Sequence, residues 1–337
     1  MINTGGPFGT LMRHSRFYLR HHTTRRADNL GKTLAALVAR PLHTWNMPIS
    51  LKIEPSAACQ LACPGCVQAN PDFKQKTAGN LMSQALFLNV LDQAADYVYR
   101  IQFYFNGEPF INKNILNMVA AATDRGIGSQ MSTNFSFRFK DSFYRDIVES
   151  GLEHLIISMD GTDANTYGKY RINGRFELVQ HGMREIVKWK RALGRTYPIV
   201  EWQFIIFEHN KHQVQRAQQL ANEIGVDRLC LKYDGQSSPE AWTPLDRTMD
   251  RMSRRVMRLD ACLWLWGAMI INWDGVVNPC CNKAMSVPLG DLRQRSLREI
   301  WNSDEIKELR AFVRSSPKDR ERPEFSSHPC HGCRYIM

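Results

Sequence analysis

Between residues 50 and 233 short apolar runs alternate with longer stretches in which apolar residues recur every three or four positions, and that rhythm leaves few architectures open. The strand-like runs are Leu51–Ile53, Ile101–Phe105, Ser129–Ser132, His154–Met159, Val200–Phe207 and Arg228–Tyr233. Helical patterns fill the gaps at Ser83–Tyr99, Ile115–Arg125, Ser142–Ser150, Phe176–Arg195 and His212–Ile224. Strand, helix and strand in this order predict an α/β fold with a parallel sheet and right-handed crossovers, either open or rolled into a partial (β/α)6 barrel. In both forms reactive groups collect at the C-terminal edge of the strands.

Four polar stretches fall on that edge. CQLACPGC, from Cys59 to Cys66, follows the first strand, and Asn106-Gly107-Glu108-Pro109 follows the second. Ser132-Thr133-Asn134 closes the third strand, and Ser158-Met159-Asp160-Gly161 the fourth. The first stretch carries three cysteines with no histidine beside them. Structural zinc takes four ligands, commonly as two close pairs. An iron–sulfur cube normally takes one thiolate per iron, so three thiolates leave one iron open to a small molecule.

These residues resemble the signature of the radical S-adenosylmethionine (SAM) superfamily. The resemblance covers residues 50 to about 235 and implies that Cys59, Cys63 and Cys66 hold a [4Fe–4S] cluster whose open iron chelates SAM. One electron then splits the sulfonium, and the resulting 5′-deoxyadenosyl radical abstracts hydrogen from the substrate. Asn106-Gly107-Glu108-Pro109 is similar to the family's GGEP stretch, which meets the methionine amino group. Ser132 and Asn134 resemble its ribose contacts, and Ser158 with Arg171 the pair receiving the methionine carboxylate, a task that suits a guanidinium fork. Gly65 departs from the pattern, because the family usually carries a bulky residue there that packs on adenine.

After residue 240 the rhythm stops and cysteines concentrate: Cys262, Cys280, Cys281, Cys330 and Cys333. Two groups of thiols suit either zinc or a fully ligated cube, and spacing alone leans to zinc. Asn272-Trp273-Asp274-Gly275-Val276-Val277-Asn278-Pro279-Cys280-Cys281 and the stretch Leu289 to Trp301 are similar to the SPASM-type domain, in its shortened twitch variant. That resemblance implies an auxiliary [4Fe–4S] cluster on Cys262, Cys280, Cys330 and Cys333, with Cys281 an alternative to Cys280. The domains expected are a basic extension at 1–48, a radical SAM core at 49–240 and a small cysteine-rich iron–sulfur domain at 241–337.

Closed on four thiolates, such a cluster passes electrons instead of binding substrate. Hydrogen abstraction from a carbon bearing a hydroxyl would leave a strongly reducing radical, and its electron could pass to the auxiliary cluster. The expected substrate is therefore a hydroxylated small molecule of sugar, cyclitol or aminoglycoside type, anionic or glycosylated forms included, undergoing dehydrogenation or epimerisation. Cys230 and Cys281 are candidate hydrogen-atom donors, although Cys230 also reads as a small buried residue. Lys232 and Asp234 are candidate base or hydrogen-bonding groups. The competing expectation is a peptide-modifying enzyme, and a third a metal-stabilised nucleic-acid-binding protein, which leaves the rim motifs unexplained. An electron donor such as flavodoxin or ferredoxin is the expected partner.

The formal charge is +11, much of it early at Arg13, Arg16, Arg20, Arg25, Arg26, Lys32 and Arg40. This segment reads as a solvated basic surface with a short amphipathic helix over residues 29–41. Arg25-Arg26 precedes an apolar run broken by Lys32 and lacks a small-residue cleavage site, so a cytoplasmic location is expected. No apolar run approaches the roughly 20 residues of a membrane span. Nine cysteines in a large chain of this kind favour metal or redox chemistry over a disulfide framework.

Overall fold

The computed structural model describes residues 2–3, 17–233, 262–282 and 287–333. A two-residue strand β1 (Ile2–Asn3) is followed by β2 (Ser50–Ile53), β3 (Arg100–Phe103), β4 (Gly128–Thr133), β5 (His154–Ser158), β6 (Ile199–Ile206) and β7 (Arg228–Tyr233). From β2 to β7 the strands lie side by side in chain order and every neighbouring pair is parallel. The helices Gln84–Ala94, Ile115–Asp124, Asp141–Glu149, Phe176–Ala192 and Val214–Ile224 form the crossovers. All six strands and five helices expected from the periodicity are present, as a partial (β/α)6 barrel.

Alternation along the strands divides them cleanly. Leu51, Ile53, Ile101, Phe103, Met131, Leu155, Ile157, Trp202, Phe204, Leu229 and Leu231 join one apolar core with the helices. Burying each such side chain contributes roughly 1.5–3 kcal/mol. The residues between them face the lumen and are largely polar. Gln102 Nε2 donates to Gln130 Oε1 at 3.0 Å, Gln130 Nε2 lies 3.4 Å from His154 Nδ1, and His154 Nε2 lies 3.1 Å from Glu201 Oε2.

Within the barrel two helices went unread in the sequence, Pro71–Thr77 and Ala164–Tyr170. Each is seven residues long, too short for a periodic signal, and each is started by a side-chain cap. Asn70 accepts from the backbone N–H groups of Asp72 and Phe73, and Asp163 accepts from that of Thr166. Both lie in rim loops.

The cysteine-rich tail continues the sheet. β8 (Ala268–Ile271) pairs in parallel with β2, and β9 (Val276–Asn278) and β10 (Gly290–Asp291) add antiparallel ribbons beyond it. Trp301 Nε1 donates to Asn46 O at 2.8 Å, and the buried Arg310 donates to Leu265 O and Leu42 O at 3.0 and 2.9 Å. The expected boundary near residue 240 lies outside the described residues.

The N-terminal helix differs from expectation. It spans Thr24–Ala39 and buries Arg26, Asn29, Thr33 and Ala36 while leaving Leu34 and Val38 exposed. Arg26 therefore does not belong to a solvated basic surface: its guanidinium donates to Ala95 O at 2.8 Å, Arg125 O at 2.9 Å and Gly126 O. Those carbonyls end the helices Gln84–Ala94 and Ile115–Asp124, where a cation meets the negative end of each dipole. Arg13 and Arg16 lie outside the described residues.

Candidate active site

Cys59, Cys63 and Cys66 line one cavity with Asn106, Gly107, Glu108, Ser132, Asn134, Ser158 and Arg171. Four loops at the C-terminal edge thus meet as the order of motifs predicts. The loop carrying the thiols turns at Pro64-Gly65, with Cys66 N donating to Cys63 O at 3.0 Å and Gly65 at φ +79°. Pro followed by a residue of positive φ is the signature of a type II turn, and glycine takes that conformation without strain. Backbone geometry accounts for Gly65, which is exposed.

The glycine of the second motif has a different reason. A Cβ on Gly107 would lie 2.0 Å from Ser56 O, so only glycine lets this turn close on the thiol loop. Glu108 N donates to Ala58 O at 2.8 Å, and Pro109 opens a short turn of helix behind it. Gln68, fully within the wall, donates to Ala57 O and to Asn106 O, tying the two loops together.

Glu108 is buried, and its carboxylate accepts from Thr133 Oγ1 at 2.6 Å, Asn134 N at 2.7 Å and Phe110 N at 3.2 Å. Burial still dominates and pushes its pKa up to about 7. Asn134 turns its amide nitrogen toward Cys59 Sγ at 3.7 Å. Arg171 Nε donates to Asp160 Oδ2 at 2.6 Å while Nη1 lies 3.9 Å from Cys63 Sγ. Asp160 is itself fixed by Ile205 N at 2.6 Å. Buried ion pairs keep their geometry only when hydrogen bonds satisfy the remaining lone pairs, and Asp160 meets that condition.

Burial and the Glu108 carboxylate push the Cys59 thiol up to about 12, and burial also raises Cys63. Leu61, Tyr170 and Phe207 pack around these thiols. Such thiols ionise only against a strong local positive charge, which an iron cluster provides.

In the tail, Cys262, Cys280, Cys330 and Cys333 act on one another electrostatically. Burial and its three partner thiols raise Cys330 to about 12, and burial raises Cys262 to about 11. Cys280 is among the thiols that act on Cys262 and Cys330, whereas Cys281 is exposed. Among the described residues no three His, Cys, Asp or Glu side chains converge as a single metal ion demands. A cube takes one thiolate per iron, and both all-thiol sets suit it.

The remaining candidates are scattered. Cys230 is fully buried on the lumenal row of β7, and Lys232 on the same row donates to Gln203 Oε1. Asp234 lies outside the described residues. Three residues that the sequence reading passed over matter to the site: Asp160 and Gln68 as above, and Glu54. Glu54 directly follows β2, accepts from Asn106 N at 3.1 Å and from the backbone of Trp273, and is pushed up to about 7 by burial. Asp160 stood within a motif already singled out; Glu54 and Gln68 had no sequence signal.

Residues 262–334 match the SPASM family, an iron–sulfur cluster-binding domain. A PqqA peptide cyclase of Xanthomonas euvesicatoria is 27% identical over 298 residues, covering 79% of this chain and 76% of its own. A tungsten-containing aldehyde ferredoxin oxidoreductase cofactor-modifying protein of Pyrococcus furiosus is 21% identical over 299 residues, covering 75% and 81%. The crystal structure of Streptococcus suis SuiB bound to S-adenosylmethionine superposes with a TM-score of 0.65 at 16% identity, covering 88% of this chain and 75% of SuiB. SuiB has also been solved bound to its precursor peptide SuiA, with a TM-score of 0.63, 16% identity and coverage of 84% and 71%. A SPASM domain behind a barrel whose rim joins three thiols to the expected SAM contacts, together with these likenesses, supports a radical SAM enzyme with SAM and [4Fe–4S] clusters as its cofactors.

Proposed function

We propose that this enzyme modifies a peptide substrate by radical chemistry. The observation that carries the reading is the likeness to a PqqA peptide cyclase along most of both chains, joined by the fold shared with a protein solved on its precursor peptide. Oxidation of a hydroxylated small molecule, the first expectation from the sequence, has no comparable support.

In this reading Cys59, Cys63 and Cys66 hold the SAM-binding cluster, and Cys262, Cys280, Cys330 and Cys333 the auxiliary one. When bound, the cluster and SAM supply a 5′-deoxyadenosyl radical that removes hydrogen from a carbon of the substrate. The protein's part is to bind and to exclude water. Arg171, aimed by Asp160, presents its free guanidinium edge with Ser158 to the methionine carboxylate. Glu108 and the turn Asn106-Gly107 face the methionine amino group, and Ser132 and Asn134 the ribose. Leu61, Tyr170 and Phe207 keep solvent from the thiol loop. An external one-electron donor of flavodoxin or ferredoxin type completes the system.

The test is anaerobic reconstitution followed by incubation with SAM, reductant and the short peptides encoded beside the gene. Formation of 5′-deoxyadenosine together with a mass change in one peptide is expected. Turnover of a sugar or cyclitol with every peptide unchanged would overturn the proposal.

A further inference from the structure

We infer that Lys52 anchors a substrate carboxylate between the two thiol sets; taken with the peptide reading on which it rests, this makes the substrate a peptide with an acidic residue near the reacting carbon. Lys52 lies on β2 between the core residues Leu51 and Ile53, so its side chain points into the barrel lumen, paired across strands with Gln102. Its ammonium sits 4.8 Å from the ring centre of Tyr104, 5.5 Å from Trp264 and 5.9 Å from Phe105. Tyr104 and Phe105 line the three-thiol cavity, and Trp264 belongs to the helix that begins next to Cys262. The cation thus stands between the cavity that receives SAM and the tail quartet.

Among the described residues the other buried and half-buried lysines have oxygen partners. Lys190 pairs with Asp227, Lys74 donates to Gln60 O and Leu61 O, and Lys232 donates to Gln203. Lys52 has no hydrogen bond or ion pair among the described residues; its partners are ring faces. Aromatic faces attract a cation but offer no lone pair, so among the described residues its three N–H donors meet no oxygen. Glu54, the acidic residue on the same lumenal row, is committed to the backbone of Asn106 and Trp273.

A second donor stands beside it. Gln102 Nε2 donates both to Tyr104 Oη at 3.1 Å and to Gln130 Oε1 at 3.0 Å, which uses both amide hydrogens. The Tyr104 hydroxyl therefore accepts in that contact, and its own proton is available to donate. An ammonium on β2 and a phenol O–H just past the end of β3 offer one donor to each oxygen of a carboxylate, and charge-assisted hydrogen bonds are strong.

Equilibrium dialysis of the reconstituted, SAM-loaded protein tests this with three probes: N-acetyl-glutamate N-methylamide, its glutamine counterpart and glucuronate. Wild type and Lys52→Arg should bind the glutamate probe, and Lys52→Met should weaken it about tenfold or more, the loss of one charged hydrogen bond. The glutamine probe should bind weakly to all three proteins. Glucuronate binding that needs Lys52, with no binding of the glutamate amide, would keep the anchor and overturn the peptide reading. Equal binding of either acid by wild type and Lys52→Met, or no binding of either, overturns the anchor and leaves the peptide reading to its own assay. Loss of all probes alike with a lowered melting temperature also overturns it, by making Lys52 a clamp on Trp264.

Discussion

The two thiol sets differ in number and in setting. The rim set has three thiols in one short loop, surrounded by a buried carboxylate, an arginine held by Asp160 and an asparagine amide. The tail set has four thiols drawn from three places in the chain; among the described residues its neighbours are one another, the apolar core and the Asn282 amide, 3.5 Å from Cys333 Sγ. A closed quartet saturates its iron and leaves it electron transfer. An incomplete trio in a polar cavity keeps a coordination position and furnishes the groups that fill it. In the proposed assignment, completeness of ligation, more than the identity of the ligands, separates the reacting centre from the accessory one.

Replacing one thiol in each set should break this comparison most visibly. Cys63→Ala is expected to abolish 5′-deoxyadenosine formation and to lower iron from about eight to about four per chain. Cys330→Ala should show the same loss of iron while SAM cleavage survives. Iron counting and chromatography of the SAM products check both, and equal loss of cleavage in the two variants would erase the distinction.

Next in size is the buried pair behind the rim site. Asp160→Asn leaves Arg171 without its counter-ion, and breaking such a pair costs about 3–5 kcal/mol. Denaturant unfolding should register that loss, and SAM affinity should fall at least about tenfold because the guanidinium loses its aim. Unchanged SAM binding would show that Arg171 holds its position without Asp160.

Glu54 joins the two regions, and its titration tests the joint. Burial lifts its folded pKa to about 7 from an ordinary 4.5, so the folded protein retains a proton that the unfolded chain releases. This group's contribution to stability therefore declines as pH rises from about 4.5 to about 7 and stays low above that. Glu54→Gln should remove at most about 3 kcal/mol of the difference in unfolding free energy between pH 5 and pH 8. An unaltered difference would mean that Glu54 is not held neutral.

The smallest effect should come from Cys281. As an exposed thiol outside the quartet, its replacement by serine should leave iron content and SAM cleavage at wild-type values. Loss of about four irons would move the ligand from Cys280 to Cys281.

Much of the barrel was legible in the sequence, because strand and helix periods are local and each of the six strands carries its own apolar alternation. Rim positions followed, since a parallel sheet sends every strand end to one edge. Short capped helices such as Ala164–Tyr170 escaped because seven residues hold too few turns for a pattern. Arg26 was misread because its charge is plain in the sequence while the carbonyls that receive it, at Ala95, Arg125 and Gly126, come from distant crossovers.

The sequence by itself determined the chemistry available: three thiols and then four, the order of the rim motifs, and the strand–helix rhythm that makes a parallel sheet. Only the tertiary structure decided that Asp160 aims Arg171, that Glu54 bridges the turn at Asn106 to the tail, and that Lys52 stands among aromatic rings between the thiol sets. Motif and period are properties of neighbouring residues. Burial and partnership arise from residues far apart in the chain, and they come into being when β8 pairs with β2 and brings the tail against the barrel.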